Sequence, residues 1–264
     1  METVNKNFHT HTYRCNHACG DVDAYYNQAL KLGFSSLGFT DHVPFPYKKE
    51  AFKSIFLWRM RHDEISDYLS KIDSLKARSK DIKIYSGFEC EYFKEFDSYY
   101  KELLDRCDYL ILGAHFFFDK SSNFRSAYEI TNTKEGIISY AENVIQGLST
   151  GYFKLLAHPD VFGILYPKWD TTCEDISRSI IQTCVEMDIP LEINGFGVAK
   201  GLIQTEEGPR YRYPWDNFWK LVSNYPQAKV VINSDAHYPW MLNAGFTEAI
   251  KLKNKYKLNL IDLF

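Results

Sequence analysis

Along the chain, short apolar runs alternate with longer segments whose apolar residues return every three to four positions. The runs cover residues 4–11, 36–42, 82–89, 109–115, 153–158, 189–194 and 230–237, and each closes on polar groups. Their length and their Ile, Leu, Val and Phe content suit strands buried on both faces of a parallel sheet. The segments between them have helical spacing. Residues 21–32 set Val22, Tyr25, Ala29 and Leu32 on one face and stop at Gly33, and residues 61–80 set Ile65, Leu69, Ile72 and Leu75 on a charged background. Residues 97–106, 134–149 and 172–187 repeat the theme, and 211–223 is aromatic-rich with a helical end.

Strands alternating with helices predict an α/β chain with a parallel sheet. All seven predicted strands carry their polar, chemistry-bearing residues at the C-terminal end. An α/β barrel builds its site from that end of many strands, whereas an open doubly wound sheet gathers it at one switch point. The pattern therefore predicts a TIM-like barrel, distorted because it has seven units rather than eight: a distorted (β/α)7 barrel, formed by residues 1–264 as a single domain.

Composition narrows the class without choosing the chemistry. The chain has 264 residues, 45% hydrophobic and 25% charged, which suits one globular barrel. A net charge of −3 gives no broad basic surface, so no nucleic-acid or membrane partner is expected. No apolar stretch reaches the length of about 18 residues that a membrane span needs. The polar start, residues 1–7, lacks the apolar core of a secretory signal. A cytoplasmic location follows as the expectation, with cysteines 15, 19, 90, 107, 173 and 184 as reduced thiols. Cys15 and Cys19 flank His17, but no second pair follows at zinc-knuckle spacing.

The histidines change the picture. Of eight in the chain, His9, His11, His17, His42, His115, His158 and His237 fall at or just after a predicted strand end; His62 lies in a charged helix and is expected exposed. One such histidine means little, but seven at equivalent places in a repeated pattern mean metal binding. His9 and His11 are two apart, so a strand points both to the same side. Asp235 and His237 repeat that spacing at the last strand, and Glu89 ends the third, where a carboxylate can bridge two ions. A zinc-like ion with an open catalytic position takes about three protein ligands. These nine residues therefore imply two to three divalent ions. Imidazole-rich ligation favours Zn, with Fe, Mn or Co as alternatives, over Mg or Ca. Such a cluster is strongly positive, matches a phosphate dianion, and lowers the pKa of a bound water toward about 7. The expected partner is a small-molecule phosphate ester, and the oligomeric state stays open.

Asn7-Phe-His-Thr-His11, Gly38-Phe-Thr-Asp-His42, Gly87-Phe-Glu89, Gly113-Ala-His115, Ala157-His-Pro159 and Asn233-Ser-Asp-Ala-His237 resemble the motif series of the PHP (polymerase and histidinol phosphatase) family. Within it, Gly87-Phe-Glu-Cys-Glu-Tyr92 and Leu191-Glu-Ile-Asn194 are most similar to the monofunctional histidinol-phosphate phosphatases. The resemblance runs over residues 5–240. It implies a trinuclear centre: one ion on His9, His11, Glu89 and Asp235, a second sharing Glu89 and adding His115 and His158, a third on His17, His42 and His237. It also implies hydrolysis of L-histidinol phosphate, in histidine biosynthesis, by a hydroxide bridging two ions. Family members often carry Ser at the place of Ala114, and Arg after the sixth strand, where this chain has Lys200.

Other residues make weaker claims. Asp160 follows His158-Pro159 and is a candidate proton donor, a partner for the substrate ammonium, or a helix N-cap; Asp235 is a candidate in catalysis as well as a ligand. Lys200, Arg210, Arg14, Arg125 and Arg212 are candidate phosphate contacts, although most arginines are expected to be surface charges. Asp41 should point away from His42 and serve as a supporting residue. Phe116 to Phe118, Tyr47, Trp169 and Trp215 are candidate walls for an imidazole ring, and residues 44–56 a candidate lid. Three rivals differ in class: a PHP-type enzyme for another phosphate ester, a metal-storing protein with no open coordination position, and an amide-cleaving barrel, which would use a strand-end lysine where this chain has Glu89.

Overall fold

The computed structural model describes residues 3–46 and 56–264. Tyr47 and most of the candidate lid at 44–56 lie outside the described residues. In chain order the elements are β1 Lys6–Asn7, α1 Val22–Leu32, β2 Ser36–His42, α2 Ile65–Arg78, β3 Lys83–Cys90, α3 Asp97–Leu104 and β4 Tyr109–Leu112. The hairpin β5 Phe116–Phe118 and β6 Phe124–Ser126 follows, then α4 Ala127–Ile130, α5 Lys134–Leu148, β7 Leu155–Leu156, α6 Thr171–Glu186, β8 Leu191–Asn194 and α7 Gly195–Ala199. A second hairpin, β9 Leu202–Thr205 and β10 Gly208–Tyr211, leads to α8 Asp216–Val222, β11 Lys229–Asn233, α9 Phe246–Tyr256 and β12 Asn259–Leu260. Among the described residues the main sheet has eight strands in the order β1-β2-β3-β4-β7-β8-β11-β12.

The chain divides into two compact units. The first comprises Met1–Cys90, Glu95–Ile111 and Asn233–Ala244; the second comprises Glu91–Lys94, Leu112–Ile232 and Gly245–Phe264. In the first, β2 pairs in parallel with β1 and β3 in unbroken register from Ser36↔Lys83 to His42↔Glu89. Every residue of β2 is buried, the polar Thr40, Asp41 and His42 at its end included. A side chain such as Leu37 or Phe39, fully buried here, stabilises by about 1.5–3 kcal/mol. The chain beyond β1 bridges in parallel to the chain beyond β11: His11 N–H donates to Ala236 O at 2.9 Å and Ala236 N–H to His9 O at 3.3 Å.

In the second unit β7 pairs in parallel with β8 and β11 with β12, and α6 packs against α5 and α8. No described helix is long and apolar enough to cross a membrane.

All seven predicted strands are present, but several stop short of the residues they were expected to carry. His9, His11, His115, His158, Asp235 and His237 sit in loops past the strand ends. Both hairpins, α9 and β12 are additions to the predicted set. Helix α1 begins where expected, with the Asp21 side chain accepting from Val22 N–H, and ends at Gly33, whose φ of 69° is open to glycine.

Candidate metal centre

Seven of the nine predicted ligands lie in the first unit. Glu89 Oε2 is 3.2 Å from His9 Nε2, 3.4 Å from His11 Nε2 and 3.1 Å from His42 Nδ1. Asp235 Oδ1 is 3.0 Å from His11 Nε2 and 3.5 Å from His9 Nε2. Donor atoms of His9, His11 and Asp235 all lie within 4.8 Å of one another, as do those of His11, His42 and Glu89, and of His17, His42 and His237. The predicted trio His17, His42 and His237 is thus assembled, and so is the predicted quartet around His9. Asp235 has a φ of 52°, a left-handed conformation that costs a non-glycine residue energy and clusters at functional sites.

The hydrogen positions follow from the partners. Nδ1 of His17 is 2.8 Å from Cys15 O, and Nδ1 of His237 is 3.0 Å from Asp235 O. A carbonyl oxygen only accepts, so both Nδ1 atoms carry the hydrogen and both Nε2 atoms present lone pairs. Those two Nε2 atoms face each other at 3.0 Å. Two lone pairs at that distance repel unless a cation lies between them. Burial and the neighbouring His11 push the His237 pKa well below its ordinary value, which disfavours a proton as that cation. Burial opposes ionisation of Asp235, but His9 and His11 outweigh it and hold the carboxyl well below the usual range. A converging donor set of imidazole nitrogens and carboxylate oxygens fits divalent metal ions.

The surrounding polar groups hold this set in place. Asn233 Oδ1 accepts from Phe8 N–H at 2.7 Å and Asn7 Oδ1 from His9 N–H at 3.1 Å, so two buried amides fix the backbone of the first motif. Asp41 accepts from the backbone N–H and the hydroxyl of Thr12 and lies 3.9 Å from His11 Nδ1. Burial pushes its carboxyl up to about 6. Arg14 is buried, bonded to Thr12, Asp21 and Asp67, so it is neither a surface charge nor a phosphate contact. His62 is exposed, as expected.

His115 and His158 belong to the second unit, where their Nε2 atoms are 3.1 Å apart. Glu91 Oε1 stands 3.3 Å from His115 Nδ1, the carboxylate–histidine pairing that orients metal-bound imidazoles. His158 has a φ of 28°, and its backbone N–H donates at 3.0 Å to Glu192 Oε2, which also accepts from the Asn194 side chain at 2.8 Å.

The PHP domain family matches residues 7–195, most of the chain. The chain belongs to the PHP family. Among curated relatives, a probable histidinol-phosphatase of Deinococcus radiodurans is 25% identical over 257 residues, covering 92% of this chain and 90% of that one. A histidinol-phosphatase of Bacillus subtilis is 26% identical over 256 residues, covering 87% and 92%. Two solved structures share the fold: the hisK protein of Listeria monocytogenes (TM-score 0.73, 20% identity, 92% of this chain and 99% of that one) and histidinol phosphate phosphatase from Lactococcus lactis (TM-score 0.72, 16% identity, 98% and 96%). The Lactococcus protein is complexed with zinc, L-histidinol and phosphate. The distorted TIM-like barrel of a PHP domain is therefore the fold of this chain.

The remaining candidates fall into place around this PHP scaffold. Asp160 is buried, its Oδ2 accepting from Trp215 N–H and Trp219 Nε1; burial pushes its carboxyl up to about 7. It stands at the start of a short 3-10 turn, but its side chain does not cap it. Arg210 stacks on Trp215 at 4.0 Å and donates to the carbonyls of Gly163, Tyr166, Tyr211 and Arg212. With its guanidinium so engaged, Arg210 acts as a clamp on the chain, contrary to a phosphate-contacting role. Arg125 pairs with Asp119 at 2.8 Å. Lys200 is exposed and donates to the Tyr213 hydroxyl at 3.0 Å, and the Tyr213 ring is 5.9 Å from that of His158. Phe118 is half-buried between Phe93 and Phe124. Sequence reasoning passes over Asn7, Asn233, Glu91 and Glu192 as site residues. Their signal is a polar side chain inside or beside an otherwise apolar run, two positions from a ligand or a capping residue.

Proposed function

We propose that this chain is a metal-dependent phosphomonoesterase that hydrolyses L-histidinol phosphate to L-histidinol and phosphate. The observation that carries the hydrolase reading is the packing of seven imidazole and carboxylate side chains with their donor atoms converging, two of them lone pair to lone pair. The substrate assignment is supported by the two curated relatives and by the ligands of the Lactococcus structure. The family match takes in parts of both units, which supports treating residues 1–264 as one functional domain.

In this reading the chain binds two to three divalent ions in all, zinc first: one would be held by His9, His11, Glu89 and Asp235 and one by His17, His42 and His237. His115 and His158 are the ligands of a further ion, by their place in the motif order. When bound, the ions supply hydroxide near neutral pH and charge to match the phosphate. The chain's own residues do the rest. Lys200 meets the phosphate as a cation, and half-buried Phe118 offers an aromatic wall. Asp235 keeps its carboxylate ionised beside the imidazoles. Asp160, at the same strand end as His158, supplies the proton to the leaving alcohol oxygen as the phosphorus–oxygen bond breaks. Work in the cytoplasm is in keeping with a biosynthetic small-molecule substrate. The test is phosphate release from L-histidinol phosphate beside a panel of phosphomonoesters: at least a hundredfold preference in kcat/KM supports the assignment, and preference for another ester refutes it.

A further inference from the structure

The buried carboxylate of Glu192 belongs to a closed circuit of contacts in the second unit. Glu192 is fully buried and accepts from two donors that lead in different directions. One is the backbone N–H of His158, the residue held at φ 28°. A left-handed non-glycine residue persists only when its surroundings fix it, and this bond is one such restraint. The other donor is the Asn194 side-chain amide. The oxygen of that same amide accepts from Phe196 N–H at 2.9 Å and Gly197 N–H at 3.1 Å, so Asn194 caps α7. Helix α7 ends at Lys200, whose N–H donates to Phe196 O at 3.0 Å. Lys200 Nζ then reaches the Tyr213 hydroxyl, and the Tyr213 ring returns edge-on to His158. The helix can lie this close only because position 197 has no side chain: a Cβ there would stand 2.1 Å from Tyr213 O.

We propose that Glu192 is a positioning residue that sets His158 and Lys200 together, through the His158 backbone on one side and the Asn194-capped helix on the other. A metal ligand and a phosphate cation thereby hang on one carboxylate oxygen. The inference rests on the proposed role of Lys200 in meeting the phosphate.

The experiment uses the metal-loaded full chain and reads two quantities: the inhibition constant of inorganic phosphate against histidinol phosphate, and bound metal per chain. Lys200→Met raises the phosphate inhibition constant about tenfold with metal content unchanged. Loss of an orienting partner beside a metal site typically costs 10–100-fold, so Glu192→Gln is expected to raise the inhibition constant by about tenfold and to lower metal content. Asn194→Ala cuts the arm to Lys200 alone: it raises the inhibition constant likewise but leaves metal content intact, a split that general loss of structure would not give. The double variant Asn194→Ala/Lys200→Met binds phosphate no worse than Lys200→Met, within about twofold, because both changes act on one contact. If Lys200→Met weakens phosphate while Glu192→Gln and Asn194→Ala do not, or if the double variant multiplies the single effects, the positioning role is overturned and the reading of Lys200 stands. If Lys200→Met itself has no effect, both fall together.

Discussion

At His17 and His237 the ring nitrogen that carries the hydrogen decides the chemistry. Each Nδ1 donates to a carbonyl, and the two Nε2 lone pairs meet at 3.0 Å. His237→Ala removes one side of that pair, and the expected result is one fewer bound ion per chain and at least about a hundredfold loss of turnover; elemental analysis beside steady-state kinetics checks it. Unchanged metal content would mean that the pair holds no ion. Asp160 can be tested by leaving-group chemistry. If it donates the proton, Asp160→Asn slows hydrolysis of an alkyl phosphate by about 10²–10⁴-fold and barely touches p-nitrophenyl phosphate, whose leaving group needs no proton. Equal loss on both would assign Asp160 to holding Trp215 and Trp219. At this scale the sequence was most legible for the imidazoles and carboxylates that converge, because packing alone rarely puts histidines at regular places in a repeat. It was least legible for cations. Arg14 and Arg210 are candidate phosphate contacts in the sequence, but tertiary contacts surround one with Asp21 and Asp67 and the other with backbone carbonyls.

Elements explain why the ligands converge. The first two strands end in motifs that face each other because Gly38 lets Tyr109 pass: a Cβ at Gly38 would stand 2.1 Å from the Tyr109 hydroxyl, which donates to Phe8 O at 2.7 Å. Gly38→Ala is therefore expected to destabilise by about 1–3 kcal/mol through overpacking. Adding Tyr109→Phe should recover part of that loss, since it removes the nearest clashing atom; denaturant unfolding of both variants measures it. A Gly38→Ala protein as stable as the parent would contradict the close approach. Strand existence was readable from apolar runs, but strand ends were not, because ladder hydrogen bonds and not hydrophobicity decide where a strand stops. The polar tails at 8–11 and 234–237 leave the ladder to aim side chains inward, and Asp235 adopts its left-handed backbone there. Hairpin β9–β10 escapes the pattern because its residues are exposed or half-buried rather than forming an apolar run.

For the whole molecule, the folded chain gathers buried imidazoles and carboxylates whose donor atoms converge. Bound metal should then contribute to stability as any ligand of the native state does, by about 2.7 kcal/mol at a hundred times the dissociation constant. Chelation is expected to lower Tm by about 5–10 °C, and readdition of zinc to restore it; calorimetry with and without chelator reads this directly, and an unchanged Tm would contradict it. The barrel class was legible because chemistry at the C-terminal end of every strand is a property of that architecture. The division into two compact units was not, because it arises from contacts between residues far apart in sequence. The central claim is metal-dependent hydrolysis of one phosphate ester. One sample of purified protein, assayed for bound metal and for phosphate release from L-histidinol phosphate and a panel of other phosphomonoesters, tests it most directly. Two to three ions per chain with strong preference for histidinol phosphate is the predicted result. Fewer than two ions and no hydrolysis of any ester would contradict the account.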